Sequence, residues 1–146
     1  MTDAELAAHL AEEAGRRLVA LRTSGKFEGK TLGIEGDALA NAFLCAAIRQ
    51  ARPDDGLLSE ESSETNDRLA RSRVWIIDPV DGTREYGEAR PDWAVHVALA
   101  IDGVATLGAV ALPDLGVVMR SDRPVQVPPA PTTLRMVVSR TRPAPE

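Results

Sequence analysis

Two carboxylates stand three residues apart directly after residues 74–77, an apolar, β-branched run typical of a buried β-strand. Asp78 follows this run, Pro79 is expected to end the strand in a turn, and Asp81 comes next after Val80. A tight turn brings both carboxylates to one side, with the Val80 carbonyl between them. Mg²⁺ prefers oxygen ligands, commonly one or two carboxylates with water and substrate phosphate. Asp78, Asp81 and the Val80 carbonyl are therefore candidate metal ligands.

A simpler interpretation of these two aspartates stays open on spacing alone. Asp78 could merely end the strand and Asp81 could cap a following helix, because both are common roles of aspartate. A calcium-binding loop is excluded, since that pattern requires acidic residues at alternate positions and residues 78–81 do not have them.

The next two residues, Gly82 and Thr83, have the chemistry of a phosphate site. Glycine lets a ligand approach the backbone closely, and the amides of Gly82 and Thr83 would face a phosphate if a helix begins there. The Thr83 hydroxyl could orient an attacking water.

A third carboxylate, Glu60, closes another short apolar run at residues 56–58. Adjacent strands could place Glu60 and Asp78 at the same sheet edge. The alternative is a solvated acidic loop leading to Glu64 and Asp67. Because the Asp78 turn is present, we favour Glu60 as a third metal ligand.

Two amphipathic helices are expected ahead of these motifs. The first covers residues 3–22, and a loop rich in glycine follows at residues 25–36. A second helix is expected to begin at Asp37, whose carboxylate would cap its free amides, and to end before Pro53.

Strand patterns dominate the rest of the chain. Residues 93–101 and 104–112 flank an Asp-Gly pair, a strong hairpin signal, and further strands are expected at 116–120 and 134–138. The predicted fold class is α+β, with two N-terminal helices packed on a mostly antiparallel sheet of five or six strands. Residues 1–142 form the predicted domain, and residues 143–146 a linker stub.

Composition limits the classes of function. The chain has 146 residues, a net charge of −5 and a pI near 5.1, which argue for one domain and against a nucleic-acid binder. The N-terminus is acidic, and no apolar run approaches the roughly 18 residues of a membrane span. We expect a cytoplasmic protein with neither a membrane nor a nucleic-acid partner.

Three other features are expected to be structural. Residues 25–31 nearly match a P-loop, but the glycines are one residue too close and a helix precedes them. His9 and His96 have no nucleophile motif beside them. Cys45, the single cysteine, is expected to be buried and inert in a helix.

Glu60-Glu61 followed by Trp-Ile-Ile-Asp-Pro-Val-Asp-Gly-Thr at residues 75–83 resembles the first metal-binding signature of the inositol monophosphatase superfamily. The resemblance implies Mg²⁺-dependent, Li⁺-sensitive phosphomonoesterases with two or more ions and a layered αβαβα fold, of which this chain would be the N-terminal domain. The family's second signature, Trp-Asp with small residues after it, has no counterpart here, so the C-terminal domain is expected to be absent.

Residues 84–86, Arg-Glu-Tyr, and 138–142 resemble the bacterial 3′-phosphoadenosine 5′-phosphate phosphatases, the 3′(2′),5′-bisphosphate nucleotidases of sulfur assimilation. That similarity implies a small anionic nucleotide bisphosphate as substrate. The alternatives are an inositol or sugar phosphate, a truncated metal-binding fragment without turnover, and a purely structural or interaction domain. A homo-oligomer stays open.

The same resemblance implies roles residue by residue. Glu60 and Asp78 would hold one metal ion, Asp78 would bridge to a second that Asp81 shares, and the Val80 carbonyl would complete the first site.

It further implies that Gly82 and Thr83 hold the scissile phosphate. Asp37 would work with Thr83 to activate water.

Overall fold

The computed structural model describes residues 1–59, 70–123, 125–133, 135–136 and 138. Glu60 and the predicted boundary after residue 142 lie outside the described residues. The elements follow one another as α1 (Asp3–Thr23), α2 (Gly29–Ala51), β1 (Gly56–Ser59), β2 (Arg73–Asp81), α3 (Thr83–Gly87), β3 (Ala94–Ile101), β4 (Val104–Leu112), a 3₁₀ turn (Pro113–Leu115) and β5 (Val117–Arg120).

The described strands form one sheet in the order β1-β2-β3-β4-β5, in which β1 pairs parallel to β2 and every other pairing is antiparallel. Helices α1 and α2 pack together on one face of this sheet. Alternate strand residues, including Trp75, Ile77, Val97 and Leu99, are buried beneath them. The predicted α+β class, with two helices on a mostly antiparallel sheet, is confirmed.

The first helix also agrees with the prediction. Thr2 caps α1, and Glu5 completes a capping box by accepting a hydrogen bond from the Thr2 amide. At the same end Asp3 pairs with Arg52 and Arg73, at 2.8 Å each. Burial acts to raise the pKa of Asp3, but hydrogen bonds from Arg73 and Arg52 outweigh it and lower that pKa. The pairs tie α1 to the end of α2 and the start of β2.

The predicted start of the second helix is wrong. α2 begins at Gly29 rather than Asp37, so Gly33, Gly36 and Asp37 lie inside the helix and Asp37 does not cap it. Glycine costs about 1 kcal/mol relative to alanine in a helix, which is why the sequence indicated a loop. Tertiary packing overrides that cost, because α3 lies against the glycine side of α2.

The predicted end of the strand at residues 74–77 is also wrong. β2 does not stop at Pro79 but runs to Asp81. The ladder to β3 shifts by one residue there, so that Pro79 and Val80 together face Val95. Such a bulge leaves an amide without a ladder partner, and proline, which has no N–H, fits this position.

The later strands follow the prediction with one exception. β4 has the predicted bounds, and Asp102 and Gly103 form the turn with φ of 50° and 78°, the left-handed conformation that a two-residue hairpin requires. The strand expected at 134–138 falls partly outside the described residues. The described positions 135, 136 and 138 belong to no strand.

Among the described residues α2 alone is long and apolar enough, by length and composition only, to cross a membrane. The sequence-based expectation that no segment reaches that threshold is therefore not met. A core helix passes the same test, and Ala40, Leu44 and Ile48 of α2 are packed into the core.

The second face of the sheet is largely apolar, and neither α1 nor α2 covers it. Ile76 is 39% exposed and Met119 is 42% exposed. Ile76 pairs with Ala98 in β3 and with Leu58 in β1, whereas Met119 pairs with Val110 in β4. An apolar strand run such as 74–77 is typical of a strand that is buried on both faces.

Tyr86 fixes α3 to the rest of the fold. Its ring is fully buried, its hydroxyl donates to the Leu18 carbonyl at 2.8 Å, and its ring meets Trp93 edge-on at 4.9 Å. The Arg22 guanidinium stacks over both rings and bonds the Asp114 carboxylate, which also accepts from the Trp93 indole at 2.7 Å. This cluster joins α1, α3 and the segment after β4.

The Gly36→Ala substitution is expected to destabilise the fold. A Cβ at Gly36 would lie 2.5 Å from Tyr86 Cε1 and 3.1 Å from Leu18 Cδ2. Overpacking of this kind costs about 1–3 kcal/mol, more than the gain in helix propensity. Chemical denaturation measures the change, and Glu35→Ala on the exposed side of α2 should leave stability equal or higher. Equal stability of Gly36→Ala and wild type would show that α3 does not press on α2.

Burial raises the pKa of Tyr86 to about 12 from an ordinary 10.0. Because the folded pKa is raised, the fold keeps this stability below pH 10.0 and loses it as pH rises toward about 12. Tyr86 is the only tyrosine in the chain, so the ultraviolet absorbance of tyrosinate reports this residue alone. The folded chain should titrate near 12 and the urea-unfolded chain near 10.0; identical curves would contradict the buried position.

Candidate active site

The bulge at the end of β2 brings two predicted ligands to one hollow. Asp78 and Asp81 both line a hollow of about 480 Å³ on the second face of the sheet, beside His96 of β3. Asp78 pairs with His96 across the two strands, and the ladder shift carries Asp81 to the position opposite Ala94. The carboxylates therefore share one hollow through the bulge, and not through the turn that the sequence predicted.

The simpler roles considered for these aspartates do not hold. Asp78 does not end its strand, because β2 continues to Asp81. Asp81 does not cap α3, because the N-cap is Gly82 and no side chain makes a capping hydrogen bond. The structure therefore gives neither Asp78 the strand-ending role nor Asp81 the helix-capping role.

Gly82 joins β2 to α3 in a conformation that suits glycine. Its φ of 85° lies in the left-handed region, and a Cβ there would lie 3.2 Å from the Asp92 carbonyl oxygen. α3 begins at Thr83, as the interpretation of Gly82 and Thr83 as a phosphate-facing helix start requires. The two residues therefore have the predicted local structure.

Thr83 and Asp37 lie close together although 46 residues separate them. The Thr83 hydroxyl lies 3.2 Å from Asp37 Oδ2 and 3.0 Å from the Val80 carbonyl oxygen. Gly33 makes this approach possible, because a Cβ there would lie 3.0 Å from both Thr83 Cγ2 and the Thr83 carbonyl oxygen. A hydroxyl has one proton, so Thr83 donates to one of these oxygens at a time.

Thr83 lines two hollows that are separate from the one at Asp78 and Asp81. One, of about 430 Å³, is bounded by Asp37 and Asn41 of α2. The other, of about 580 Å³, has Lys30 and Arg84 on its wall, and Arg84 is paired with Glu88 at 2.8 Å. Thr83 is consequently open to a ligand from the α2 side.

Glu60 lies outside the described residues, and its role as a ligand stays a prediction. The last described pair of the β1–β2 ladder is Ser59 with Ile77, the residues that precede Glu60 and Asp78 in the sequence. The Ser59 hydroxyl donates to Asn41 Oδ1 at 2.7 Å, and the Cys45 thiol contacts the same oxygen at 3.3 Å. Cys45 is buried, as predicted.

His96 is the residue of this region that the sequence interpretation set aside. Its Nε2 lies 3.1 Å from Asp81 Oδ2. No short motif marks it, and only the pairing of β2 with β3 brings it beside the aspartates. The alternation of side chains along β3 assigns His96 to the face opposite Val95 and Val97.

The donor set is compatible with a hard divalent cation. Two carboxylates line one hollow, and Mg²⁺ requires only one or two from the protein, with the remaining positions taken by water and substrate oxygen. Within the part of the chain that the structure describes, no three His, Cys, Asp or Glu side chains are grouped closely enough to form a complete cage. The described residues suit a partly hydrated ion.

Comparisons with known proteins agree with this architecture. The model of the inositol monophosphatase family matches residues 3–124. A protein of Mycobacterium leprae named 3′-phosphoadenosine 5′-phosphate phosphatase is 47% identical over 98% of this chain and 58% of its own length. The chain therefore spans little more than half of that relative.

Solved structures also match the fold of most of this chain, and the match covers less than half of each of those proteins. The extragenic suppressor protein SuhB of Bartonella henselae is 27% identical with a TM-score of 0.69, over 80% of this chain and 46% of that protein. A staphylococcal inositol monophosphatase II with bound 2′-AMP is 25% identical with a TM-score of 0.70, over 80% and 44%.

A double-mutant cycle identifies the acceptor of the Thr83 hydroxyl. If Thr83 donates to Asp37, the variants Thr83→Val and Asp37→Ala should show a coupling of about 0.5–1.5 kcal/mol in the free energy of unfolding. The control pairs Thr83→Val with Asp54→Ala, an exposed residue between α2 and β1, and should show none. Absence of coupling in the first pair would assign the proton to the Val80 carbonyl.

Proposed function

Because the chain belongs to the inositol monophosphatase family, we propose that its residues carry the Mg²⁺-dependent hydrolysis of a phosphate monoester, with 3′-phosphoadenosine 5′-phosphate as the preferred substrate. Support for the reaction comes from one observation above all: α3 begins with a threonine whose hydroxyl meets the Asp37 carboxylate at 3.2 Å, one residue after the glycine that follows Asp81. The substrate is supported by the 47% identity to a phosphatase of that name.

Thr83 and Asp37 would orient the attacking water. When the Thr83 hydroxyl donates to Asp37, its lone pairs are left to accept a hydrogen bond from water. The carboxylate fixes the direction of the hydroxyl proton, so that the water is held in one orientation for in-line attack on phosphorus. If the water gives its proton to the Thr83 hydroxyl as that hydroxyl gives its own to Asp37, such general-base assistance contributes about 10²–10⁴-fold to a rate.

Asp78 and Asp81 are the described carboxylates that would hold Mg²⁺, with Glu60 as a further predicted ligand. The Val80 carbonyl, 3.0 Å from the Thr83 hydroxyl, has a second lone pair and would be a further ligand. Bound Mg²⁺ would lower the pKa of a coordinated water and polarise the phosphoryl group. Sensitivity to Li⁺ is expected from the family resemblance.

The phosphate would sit at the start of α3. The amides of Gly82 and Thr83 lie at the N-terminus of this helix, where backbone N–H groups favour an anion. The left-handed φ of Gly82 sets the direction of the chain at this point. These backbone groups would bind the phosphoryl oxygens and keep the phosphorus atom near Thr83.

The substrate assignment depends on the relative more than on residues 84–86. Tyr86 is fully buried and packs against Trp93, so it supports α3 and does not contact a ligand. Arg84 lies on the wall of the hollow that Thr83 and Lys30 also line. The neighbour with bound 2′-AMP supports a small phosphate ester, and an inositol or sugar phosphate is the alternative substrate.

A second candidate function is metal binding without turnover. The apolar face that α1 and α2 leave exposed, with Ile76 39% exposed and Met119 42% exposed among the described residues, favours it, because a working site normally has its apolar surroundings closed. A cytoplasmic location, expected from the acidic N-terminus, and a place in sulfur assimilation, expected from the family resemblance, are part of the main proposal.

Phosphate release tests the proposal. Wild-type chain with millimolar Mg²⁺ should release phosphate from 3′-phosphoadenosine 5′-phosphate faster than from inositol 1-phosphate, and Li⁺ should slow it. Asp78→Asn should lower kcat/KM by about 100-fold or more, because metal-assisted charge stabilisation amounts to several kcal/mol. Thr83→Val should lower it by about 10²–10⁴-fold.

Asp102→Asn is the matched control for Asp78→Asn, because the hairpin turn accepts asparagine at its left-handed φ of 50°. It should keep wild-type activity. Background release by the folded wild-type chain with both substrates, together with measurable Mg²⁺ binding, would favour the fragment without turnover. Full activity in Asp78→Asn would overturn the metal site.

A further inference from the structure

His96 contacts Asp81, a proposed metal ligand, but lies outside the segment 78–83 that contains Asp81. It lies in β3, directly opposite Asp78 of β2, and its Nε2 is 3.1 Å from Asp81 Oδ2. All three side chains line the same hollow. The contact joins the two strands at the bulge, where the regular ladder of hydrogen bonds is interrupted.

The packing of the fold does not explain a histidine at this position. The His96 side chain is 39% exposed and stands on the sheet face that α1 and α2 do not cover. Its ladder neighbour in β4 is Val110, and Ala98 follows on the same face of β3. An aliphatic side chain would suit these neighbours equally well, so the polar contact with Asp81 is what distinguishes histidine.

Asp81 needs an orienting partner if it is to bind a cation. Its side chain is 62% exposed, and an exposed carboxylate exchanges freely among its rotamers. Ordering it at the moment of binding costs rotamer entropy. A hydrogen bond from Nε2–H to Oδ2 holds one rotamer and leaves Oδ1 for the cation. Ligating carboxylates are commonly hydrogen-bonded in this way, and loss of such a partner typically costs 10–100-fold in metal affinity.

We propose that His96 is a positioning residue that holds Asp81 in the orientation that binds a divalent cation. His96 supplies no ligand itself. The inference rests on the proposed function, because it takes Asp81 as a metal ligand. It adds a residue on β3 to a site otherwise built from the β2–α3 segment and α2.

Cation affinity measured without substrate tests the inference. Isothermal titration with Mn²⁺ and Mg²⁺ should show that His96→Leu weakens binding by about 10–100-fold. His96→Gln should bind within a few-fold of wild type, because its amide places an N–H near the position of Nε2. His9→Leu is the matched control, since His9 is the other histidine and lies exposed on α1. It should bind as wild type does.

The double variant Asp81→Asn/His96→Leu separates positioning from general damage. If His96 acts through Asp81, the double variant should bind no more weakly than Asp81→Asn alone. Circular dichroism checks folding, and His96→Val, which matches the neighbouring Val110, replaces His96→Leu if leucine disturbs the sheet. Unchanged affinity in the folded leucine or valine variant would overturn the inference, and so would tighter binding, which would show that His96 competes with the cation.

The outcomes distinguish this inference from the proposed function. If the wild type binds no divalent cation, or if Asp81→Asn binds as tightly as the wild type, the proposed metal site itself fails. If the wild type binds and Asp81→Asn does not, while His96→Leu keeps its affinity, only the role of His96 fails.

Discussion

The close approach of α3 to α2 is the constraint on which the candidate site depends. Gly33 and Gly36 lie on one side of α2, and each removes a side chain that would keep α3 away. Gly33 faces Thr83 and Gly36 faces Tyr86. The absence of Cβ atoms at these two glycines therefore allows both the packing of the Tyr86 ring and the contact of the Thr83 hydroxyl with Asp37. Each glycine lowers the intrinsic helix stability of α2 by about 1 kcal/mol. The close packing that the glycines allow positions the site.

The bulge in β2 is the second feature that positions the site. It places the two carboxylates, whereas the glycines of α2 place Thr83. In a regular antiparallel strand, residues three apart point to opposite faces. The extra residue at positions 79 and 80 changes this parity, so Asp78 and Asp81 line one hollow. Proline suits the bulge because it has no amide to leave unpaired. The Asp-Pro-Val-Asp segment is therefore part of a continuous strand whose side-chain alternation shifts by one residue at the bulge, and it does not end the strand.

Local signals in the sequence predicted much of the fold. The apolar periodicities and the Asp102-Gly103 turn correctly located α1, β3 and β4, and the spacing of Asp78 and Asp81 selected two carboxylates that line one hollow. The start of α2 was predicted wrongly because close packing, which no local rule reports, overrides the low propensity of glycine. The contact of His96 depends on the register between β2 and β3, whose connection is not a short hairpin, so that spacing in the sequence does not reveal it.

The hollow at Asp78 and Asp81 opens on the apolar face of the sheet. The proposed metal site and the exposed apolar side chains are therefore linked. Leu58, Ile76 and Ala98 line the hollow together with the carboxylates. Any surface that buried these apolar side chains would also remove water from the carboxylates. Electrostatic attraction between unit charges strengthens several-fold when the effective dielectric constant falls from about 80 to about 20. Closing the face would therefore tighten cation binding, and the strength of the metal site and the burial of Ile76 should rise together.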